Sequence, residues 1–284
     1  MTTISRFQYK TLKDSMQEAV LEEADRLTLI VEHLNDYLYT QGAMPEMSVG
    51  NVLLLVHQHK DAVDVRTYDE WASVGVAVRK GEKALKIFEA YDGHNGAVGS
   101  KIKNVFERSQ TTAADESHWP SDVTTDPHIH AAAVAYAVDC KFAHLKKPTG
   151  NDLAASFYRD ANIIAIDLTK DHAYCLQDTV YYAVRFKLYQ AGVVPCIYPP
   201  GSKDEHNSAW LTANAYLARL DCFDKFYFDA SRDWLDKMSI PDRLAALKQT
   251  QEALSYLVHQ VEHVVLPTFP ENPFKDIRYP EIIL

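Results

Sequence analysis

The sequence has few cysteines, no long apolar run and fewer basic than acidic residues. Its four cysteines form no CxxC pair, which argues against a zinc ribbon or a dense disulfide scaffold and favours reduced thiols in a core. No window approaches the ~20 apolar residues of a membrane span, and no apolar segment follows the first basic residues, so we expect a cytoplasmic protein without a membrane partner. The 29 Lys and Arg against 39 Asp and Glu argue against a protein that coats nucleic acid with its whole surface, but are compatible with a local basic groove.

The sequence also lacks the short motifs of several enzyme classes. GxxxxGK[ST], GxGxxG and GxSxG do not occur, so nothing local indicates nucleotide hydrolysis or serine hydrolysis. The length of 284 residues, with 47% hydrophobic and 24% charged residues, is typical of one large or two ordinary globular domains, and we predict two.

The first half predicts helices followed by β-strands. Apolar residues recur at three- and four-residue steps over 12–40, which predicts one long amphipathic helix. Ser48 is the predicted N-cap of a buried helix, and a short helix is predicted between Thr67 and Gly75.

A β-hairpin is predicted after the short helix. Two β-rich runs flank Lys80-Gly81, where glycine supplies the positive φ of a tight turn. A third β-type run at 102–108 can pair with them across a glycine-rich loop.

The chain therefore predicts an α+β fold with two domains. The first covers residues 1–113, and residues 114–127 form a polar linker rich in Ser, Thr and Asp. The second covers 128–284 and is mostly helical around one small sheet. Its predicted elements are a helix over 128–145, a β-run at 161–168, and helices near 172–191, 207–222 and 241–265.

Three segments of the first half carry motifs in a recognisable order: GNVLLLVHQHKDA, VRTYDEWASVGVAVRKGEKALKIFEA and KNVFERSQTTA. Their order and spacing, after a long first helix, resemble those of the N-terminal domain of ArdC-like antirestriction proteins, a protein family found on plasmids and other mobile elements. Val76 stands where that family commonly has arginine, and Ala84 where it prefers glycine. The matching residues are Asn51, Leu53 to Leu55, Gln58, Ala62, Tyr68, Trp71, Gly75, Val78, Lys80 to Lys83, Ile87, Val105, Phe106 and Ser109 to Thr111.

The resemblance implies single-stranded-DNA binding by this domain. The residue chemistry agrees, because cations that pair with phosphates stand beside rings that can stack on bases. The alternative is a solvated, charged hairpin over a core tryptophan. The candidate DNA-binding residues are Asn51, Gln58, Arg66, Tyr68, Trp71, Arg79, Lys80, Lys83 and Lys86.

The second domain of the ArdC-like family resembles a zincin metallopeptidase, which carries HExxH on a helix. This sequence has no HExxH, and Tyr182, Ala183 and Phe186 stand where the first His, the Glu and the second His are expected. None of the three can ligate zinc or act as the base. We therefore expect an inactive, metal-free relative with no catalytic residue and no cofactor.

Two histidine patterns leave a metal site open as an alternative. His259, Glu262 and His263 form HxxEH, the inverted zincin pattern, although a partly exposed helix face explains it as well. His128 and His130 lie two residues apart at a predicted helix start, where accidental spacing is the simpler interpretation. A tyrosine-rich set in the second half could line a groove but is more typical of a core: Tyr174, Tyr181, Tyr182, Tyr189 and Tyr198.

Three functional hypotheses follow. The first is a non-enzymatic, sequence-tolerant binder of single-stranded DNA from a mobile element or phage, acting in DNA transfer or against restriction. The second is an inhibitor that binds a host restriction or defence protein, with the acidic second domain as a DNA-like surface. The third is a metallopeptidase with a non-standard site at His259 and His263.

Overall fold

The computed structural model describes residues 6–29, 31–60, 62–92, 98–114, 126–145, 153–220, 228–268 and 281–282. Cys222 and residues 115–125 of the predicted linker lie outside this part. The chain divides into two compact units. Unit 1 comprises Met1–Ser121 with Met238–Leu244, and unit 2 comprises Asp122–Lys237 with Ala245–Leu284.

Unit 1 contains helices and one three-stranded antiparallel sheet, as the α+β prediction requires. The strand order is β1-β3-β2, and β2 pairs with β3 from Leu85↔Val105 to Asp92↔Val98. The core face of the sheet packs Leu85, Ile87 and Val105 against Leu55. The elements are α1 (Arg6–Leu29), α2 (Val31–Ala43), α3 (Val49–Gln58), β1 (Val65–Arg66), α4 (Tyr68–Ser73), β2 (Leu85–Asp92) and β3 (Val98–Glu107).

The helix starts of unit 1 agree with their sequence signals. Ser48 holds the N-cap position of α3 with extended backbone, although its side chain makes no capping hydrogen bond. Thr67 forms a complete capping box with Glu70 at the start of α4. Gly75, with φ of 77°, follows the end of α4. The predicted helix over 12–40 falls on α1 and α2, and residue 30 between them lies outside the described residues.

The predicted hairpin around Lys80-Gly81 is wrong in its pairing. Gly81 does adopt a positive φ of 97°, and Glu82 N donates to Arg79 O at 3.3 Å. However, Val78 forms a single bridge to Thr111, and β2 pairs with β3. The segment before the turn therefore pairs with the residues after β3, and the segment after the turn pairs with β3 itself. The glycine fixes the turn but does not determine which strands pair.

Unit 2 is mostly helical around a four-stranded mixed sheet with the order β5-β6-β4-β7. β4 pairs in parallel with β6 and β7, whereas β5 pairs with β6 in the antiparallel sense. The elements are α5 (Pro127–Ala137), β4 (Lys141–Leu145), β5 (Ala155–Tyr158), β6 (Ile163–Ile166), α6 (His172–Tyr182), a π-helix (Ala183–Tyr189), α7 (Lys203–Arg219), α8 (Phe228–Asp236), α9 (Ile240–Val258), which begins in unit 1, a second π-helix (His259–Val265) and β7 (Glu281–Ile282).

The helix predicted over 128–145 ends at Ala137, and the chain then forms the strand β4. Asp139 takes a φ of 55°, and Cys140 N and Asp139 N donate to Ala135 O and Tyr136 O at 2.8 and 3.0 Å. These two bonds form a Schellman C-cap, with aspartate at the position where glycine is the usual signal. The following residues, 141–145, form β4 because they pair with β6, a long-range contact that local periodicity does not show.

The cysteines within the described part are free thiols. Cys140 and Cys175 are buried, and burial raises the pKa of these thiols to about 11 and about 12. They lie in the interior, as the sequence predicts.

Candidate nucleic-acid interface

The KGEK loop, residues 76–84, is attached to the chain that follows β3. Thr112 N donates to Ala77 O at 2.8 Å, and Ala77 N donates to Thr112 Oγ1 at 3.1 Å. Arg79 N donates to Gln110 O at 2.9 Å. The loop thus has defined backbone partners along its first half.

The buried side chain of Gln110 holds the second half of the loop. Its Nε2 donates to Lys83 O at 2.8 Å, and its Oε1 accepts from Glu107 N at 2.9 Å. Gln110 thus ties the loop to the end of β3, a role that neither its charge nor its side-chain type indicates in the sequence. The SQT motif was the available sequence signal for it.

Three lysines on and beside the loop carry charge that the fold does not neutralise. Lys80 and Lys83 are exposed and Lys86 is half-buried. Within the described part of the chain, none of their ammonium groups has an ion-pair partner. Arg79 differs, since its guanidinium donates to Ser109 O and lies 3.5 Å from a carboxylate oxygen of Glu82.

The aromatic and arginine candidates separate into buried and exposed groups. Trp71 is 1% exposed, and its Nε1 donates to Phe106 O at 2.9 Å. Arg66 lies 4.7 Å from the Trp71 ring centroid and donates to both carboxylate oxygens of Asp64 at 2.9 and 3.1 Å. The Trp71 ring is therefore a core element rather than an open stacking surface. Tyr68, in contrast, is 59% exposed.

The amide candidates Asn51 and Gln58 close the free edge of the sheet. Asn51 accepts from Phe88 N and donates to Phe88 O, both at 2.8 Å. Gln58 does the same with Lys86 N and Lys86 O, both at 2.9 Å. Each amide thus substitutes for the backbone of a neighbouring strand. The structure places both side chains in this role, which explains why helix α3 carries them.

Other lysines of the sheet are neutralised by carboxylates. Lys101 Nζ lies 2.7 Å from a Glu89 oxygen, and Lys103 Nζ lies 3.3 and 3.4 Å from Glu89 and Glu70. Hydrogen bonds from Lys101 and Lys103 lower the pKa of Glu89. The unneutralised charge of this sheet region is therefore on the KGEK loop and Lys86.

In unit 2, the positions predicted for the lost metal motif do not fit a metal ion. Tyr182 and Phe186 are partly buried aromatic residues with ring centroids 6.0 Å apart, and Ala183 is fully buried. Burial raises the pKa of Tyr182 to about 12, which disfavours the phenolate. These residues offer neither imidazole nor carboxylate.

The two histidine patterns are engaged in packing. Glu262 of the HxxEH pattern accepts two hydrogen bonds from Arg219, both at 2.6 Å. His130 is fully buried, and its Nδ1 lies 3.0 Å from the Tyr216 hydroxyl. His128 stacks on His172 with ring centroids 3.5 Å apart. Among the residues described, no group of three His, Cys, Asp or Glu side chains is arranged to hold a metal ion.

The tyrosine-rich set of unit 2 contains both buried and partly buried side chains. Tyr181 and Tyr189 are buried, and their hydroxyls lie 2.8 Å from His206 Nδ1 and 3.0 Å from Ser208 Oγ. Tyr182 is only partly buried.

No helix in the described ranges is both long and apolar enough to cross a membrane.

Comparison with known proteins gives matches to solved structures alone. No family model and no curated protein matches the chain. The crystal structure of the antirestriction ArdC protein from the R388 plasmid, in its metal-free form, matches with a TM-score of 0.53 and 17% identity, covering 86% of this chain and 98% of that one. The Mn(II)-bound structure of the same protein matches with a TM-score of 0.47 and 17% identity, over 76% of this chain and 85% of that one. The chain therefore has the fold of the ArdC antirestriction protein, which confirms at the level of fold what the motifs of the first half predict.

Proposed function

We propose that this protein binds single-stranded DNA without sequence preference, through the KGEK loop of unit 1, and that it acts in antirestriction for a mobile element such as a plasmid. The observation that carries the proposal is the set of three ammonium groups, on Lys80, Lys83 and Lys86, that have no ion-pair partner in the described part of the chain. Exposed Tyr68, on the short helix before the loop, adds a ring that a base can stack on. Both features are independent of base identity.

Residues whose side chains are bound within the fold support this surface. Asn51 and Gln58 fix the edge of β2, Gln110 fixes the loop, and Trp71 fills the core. The DNA contacts are thus assigned to Tyr68, Arg79, Lys80, Lys83 and Lys86. Arg66 is the weakest member of the predicted set, because its guanidinium is bound by Asp64.

The name of the R388 protein, an antirestriction protein, supports the biological part of the proposal. Binding the single strand that enters during DNA transfer would bring such a protein to the substrate of a restriction system. We keep a cytoplasmic location as part of this proposal. No catalytic residue and no cofactor are assigned.

The double variant Lys80→Ala/Lys83→Ala tests the loop. We expect its affinity for a labelled oligo-dT strand to fall at least fivefold, measured by fluorescence anisotropy, and its melting temperature to stay near that of the parent, because exposed charges contribute little to stability.

The matched control is Lys60→Ala/Lys101→Ala, which removes the same charge from exposed lysines of unit 1 that already face Asp36 and Glu89. An equal loss of affinity in both double variants would show that the net charge of the protein, and not the KGEK loop, determines the affinity. Unchanged affinity in Lys80→Ala/Lys83→Ala would place the site elsewhere.

A second candidate function is inhibition of a host restriction or defence protein by direct contact. It is favoured by the charge of the chain, whose net value is −10, with most of the excess acid in the second half. Binding of the protein to a purified restriction enzyme in the absence of DNA would support it. If the double variant Lys80→Ala/Lys83→Ala blocks restriction as strongly as the parent does, this candidate function is favoured over the first.

A further inference from the structure

Unit 2 carries three aromatic rings in nearly parallel planes where β5 meets the end of α6. Phe157 and Phe186 stack with centroids 5.0 Å apart and planes 19° apart. Tyr182 lies 6.0 Å from Phe186 and 6.4 Å from Phe157, at angles of 15° and 30°. All three side chains are partly exposed. We call these three rings, with Arg159 and Arg185, the stacked strip.

Two guanidinium groups lie against the same ring. The guanidinium carbons of Arg185 and Arg159 are 4.6 and 5.2 Å from the centroid of Phe186. Arg185 also donates to the Tyr181 hydroxyl at 3.2 Å and lies 3.8 Å from a carboxylate oxygen of Glu205. Its orientation is therefore fixed by three neighbours.

Arg159 of the strip and Lys187, which follows Phe186 in the chain, have neutral hydrogen-bond partners. Exposed Arg159 donates to Gln190 Oε1 at 3.0 Å, and Lys187 donates to Asn162 Oδ1 at 2.9 Å. Neither side chain forms an ion pair with another residue that the structure describes. An amide satisfies the hydrogen bond but leaves the positive charge in place. Arg159 lies against the Phe186 ring, and Lys187 follows Phe186 directly in the chain.

The backbone that presents the strip is also unusual. Helix α6 changes at Ala183 into the π-helix Ala183–Tyr189, which contains Arg185, Phe186 and Lys187. π-helical turns are rare in proteins and occur frequently at functional sites. This turn places the ring of Phe186 parallel to that of Tyr182 and brings the side chain of Arg185 over it.

From these features we infer that the stacked strip is a second binding surface for single-stranded nucleic acid, independent of the KGEK loop. Parallel rings accept the flat face of any base, guanidinium groups stack on bases and pair with phosphates, and the unneutralised charges of Arg159 and Lys187 attract the backbone. An aromatic peptide segment would use the rings but would leave both charges without a partner. The charge therefore favours a polyanion, and the expected contact is a few nucleotides.

Photo-crosslinking on the full-length protein tests the inference. The probe is an oligo-dT strand with 5-iodouracil at one position, irradiated with the protein and mapped by mass spectrometry of the digested adduct. We expect adducts on peptides that contain Tyr182, Phe186 or Phe157. We expect the same adducts in the Lys80→Ala/Lys83→Ala background, because the strip does not depend on the loop.

Affinity measurements on strip variants complete the test. Tyr182→Ala and Arg159→Glu should each weaken binding about fivefold or more in that loop background, whereas Tyr182→Phe should restore the parent value, because only the ring is needed. Arg159→Glu is a surface change that leaves the core intact, so it reports on binding even if Tyr182→Ala is unstable. The control is Lys248→Glu, the same charge reversal at an exposed lysine of unit 2.

The outcomes distinguish this inference from the proposed function. Adducts confined to unit 1, with Arg159→Glu binding as Lys248→Glu does, would overturn the strip and leave the loop standing. Binding that survives the loop variant and is lost in strip variants would support the strip and remove the loop as the main site.

Discussion

At the scale of single residues, Asp178 has the clearest chemical signature in unit 2. It lies on α6, is nearly inaccessible, and one carboxylate oxygen accepts from Ala154 N and Ala155 N at 2.5 and 3.0 Å. Burial raises the pKa of its carboxyl group to about 6, and the two backbone hydrogen bonds only partly oppose this. Because the folded state holds the proton more tightly than the unfolded state, the stabilisation is complete below pH ~3.8 and is lost as the pH rises through about 6.

Asp178→Asn should remove this dependence. The neutral amide keeps an oxygen for both backbone N–H groups, so we expect the variant to match the parent near pH 4 and to exceed its free energy of unfolding at pH 7.5, by up to about 3 kcal/mol. Urea unfolding of both proteins at the two pH values measures it. Burial lowers the pKa of His128, His144 and His206, which destabilises the fold as the pH falls, but these residues are common to both proteins and cancel in the comparison. A constant difference across the pH range would contradict the assignment.

At the scale of elements, the edge of β2 shows how a motif residue acquires its role. Asn51 and Gln58 each pair with both backbone groups of one β2 residue, so a helix closes the sheet where a strand could otherwise add. Replacing Asn51 by alanine leaves the partly buried N–H and C=O of Phe88 without their partner, at a cost of about 1–3 kcal/mol, whereas water can replace the exposed bonds of Gln58.

Asn51→Ala should therefore lower the free energy of unfolding by about 1–3 kcal/mol and leave the DNA affinity of the folded protein unchanged. Chemical denaturation and anisotropy at a temperature where the variant is folded provide the two measurements. Loss of affinity with unchanged stability would restore Asn51 as a DNA contact, as the sequence alone suggests.

The same scale shows what the sequence could predict. Helix starts with local signals, such as the capping box at Thr67, and the buried run of α3 follow from neighbouring residues. The pairing of Val78 with Thr111 and the strand at 141–145 depend on chain segments far away, which periodicity does not encode. Asp139 ended a helix where glycine was the expected signal.

The sequence predicts a set of site residues, and their role in DNA binding stays a prediction, but it does not show which of them the fold itself engages. Lys80, Lys83 and Tyr68 are exposed as the resemblance implied. The burial of Trp71, the capture of Arg66 by Asp64 and the edge role of Asn51 depend on tertiary contacts, so charge and aromaticity alone could not separate support from contact.

At the scale of the whole molecule, a net charge of −10 coexists with two small groups of cations that have no ion-pair partner among the described residues, namely Lys80, Lys83 and Lys86 in unit 1 and Arg159 and Lys187 in unit 2. The net negative charge opposes general attraction to duplex DNA, so the binding we propose depends on places where rings and free cations occur together.

Preferential binding of single-stranded DNA is tested most directly by a binding isotherm of the parent protein on oligo-dT. The isotherm is repeated over a range of salt concentrations and with a duplex of the same length. With Lys80, Lys83 and Lys86 engaged, we predict preference for the single strand and a log–log salt slope of about −2, or a steeper one if the stacked strip binds the same strand. A salt-independent affinity, or tighter binding to the duplex, would contradict it.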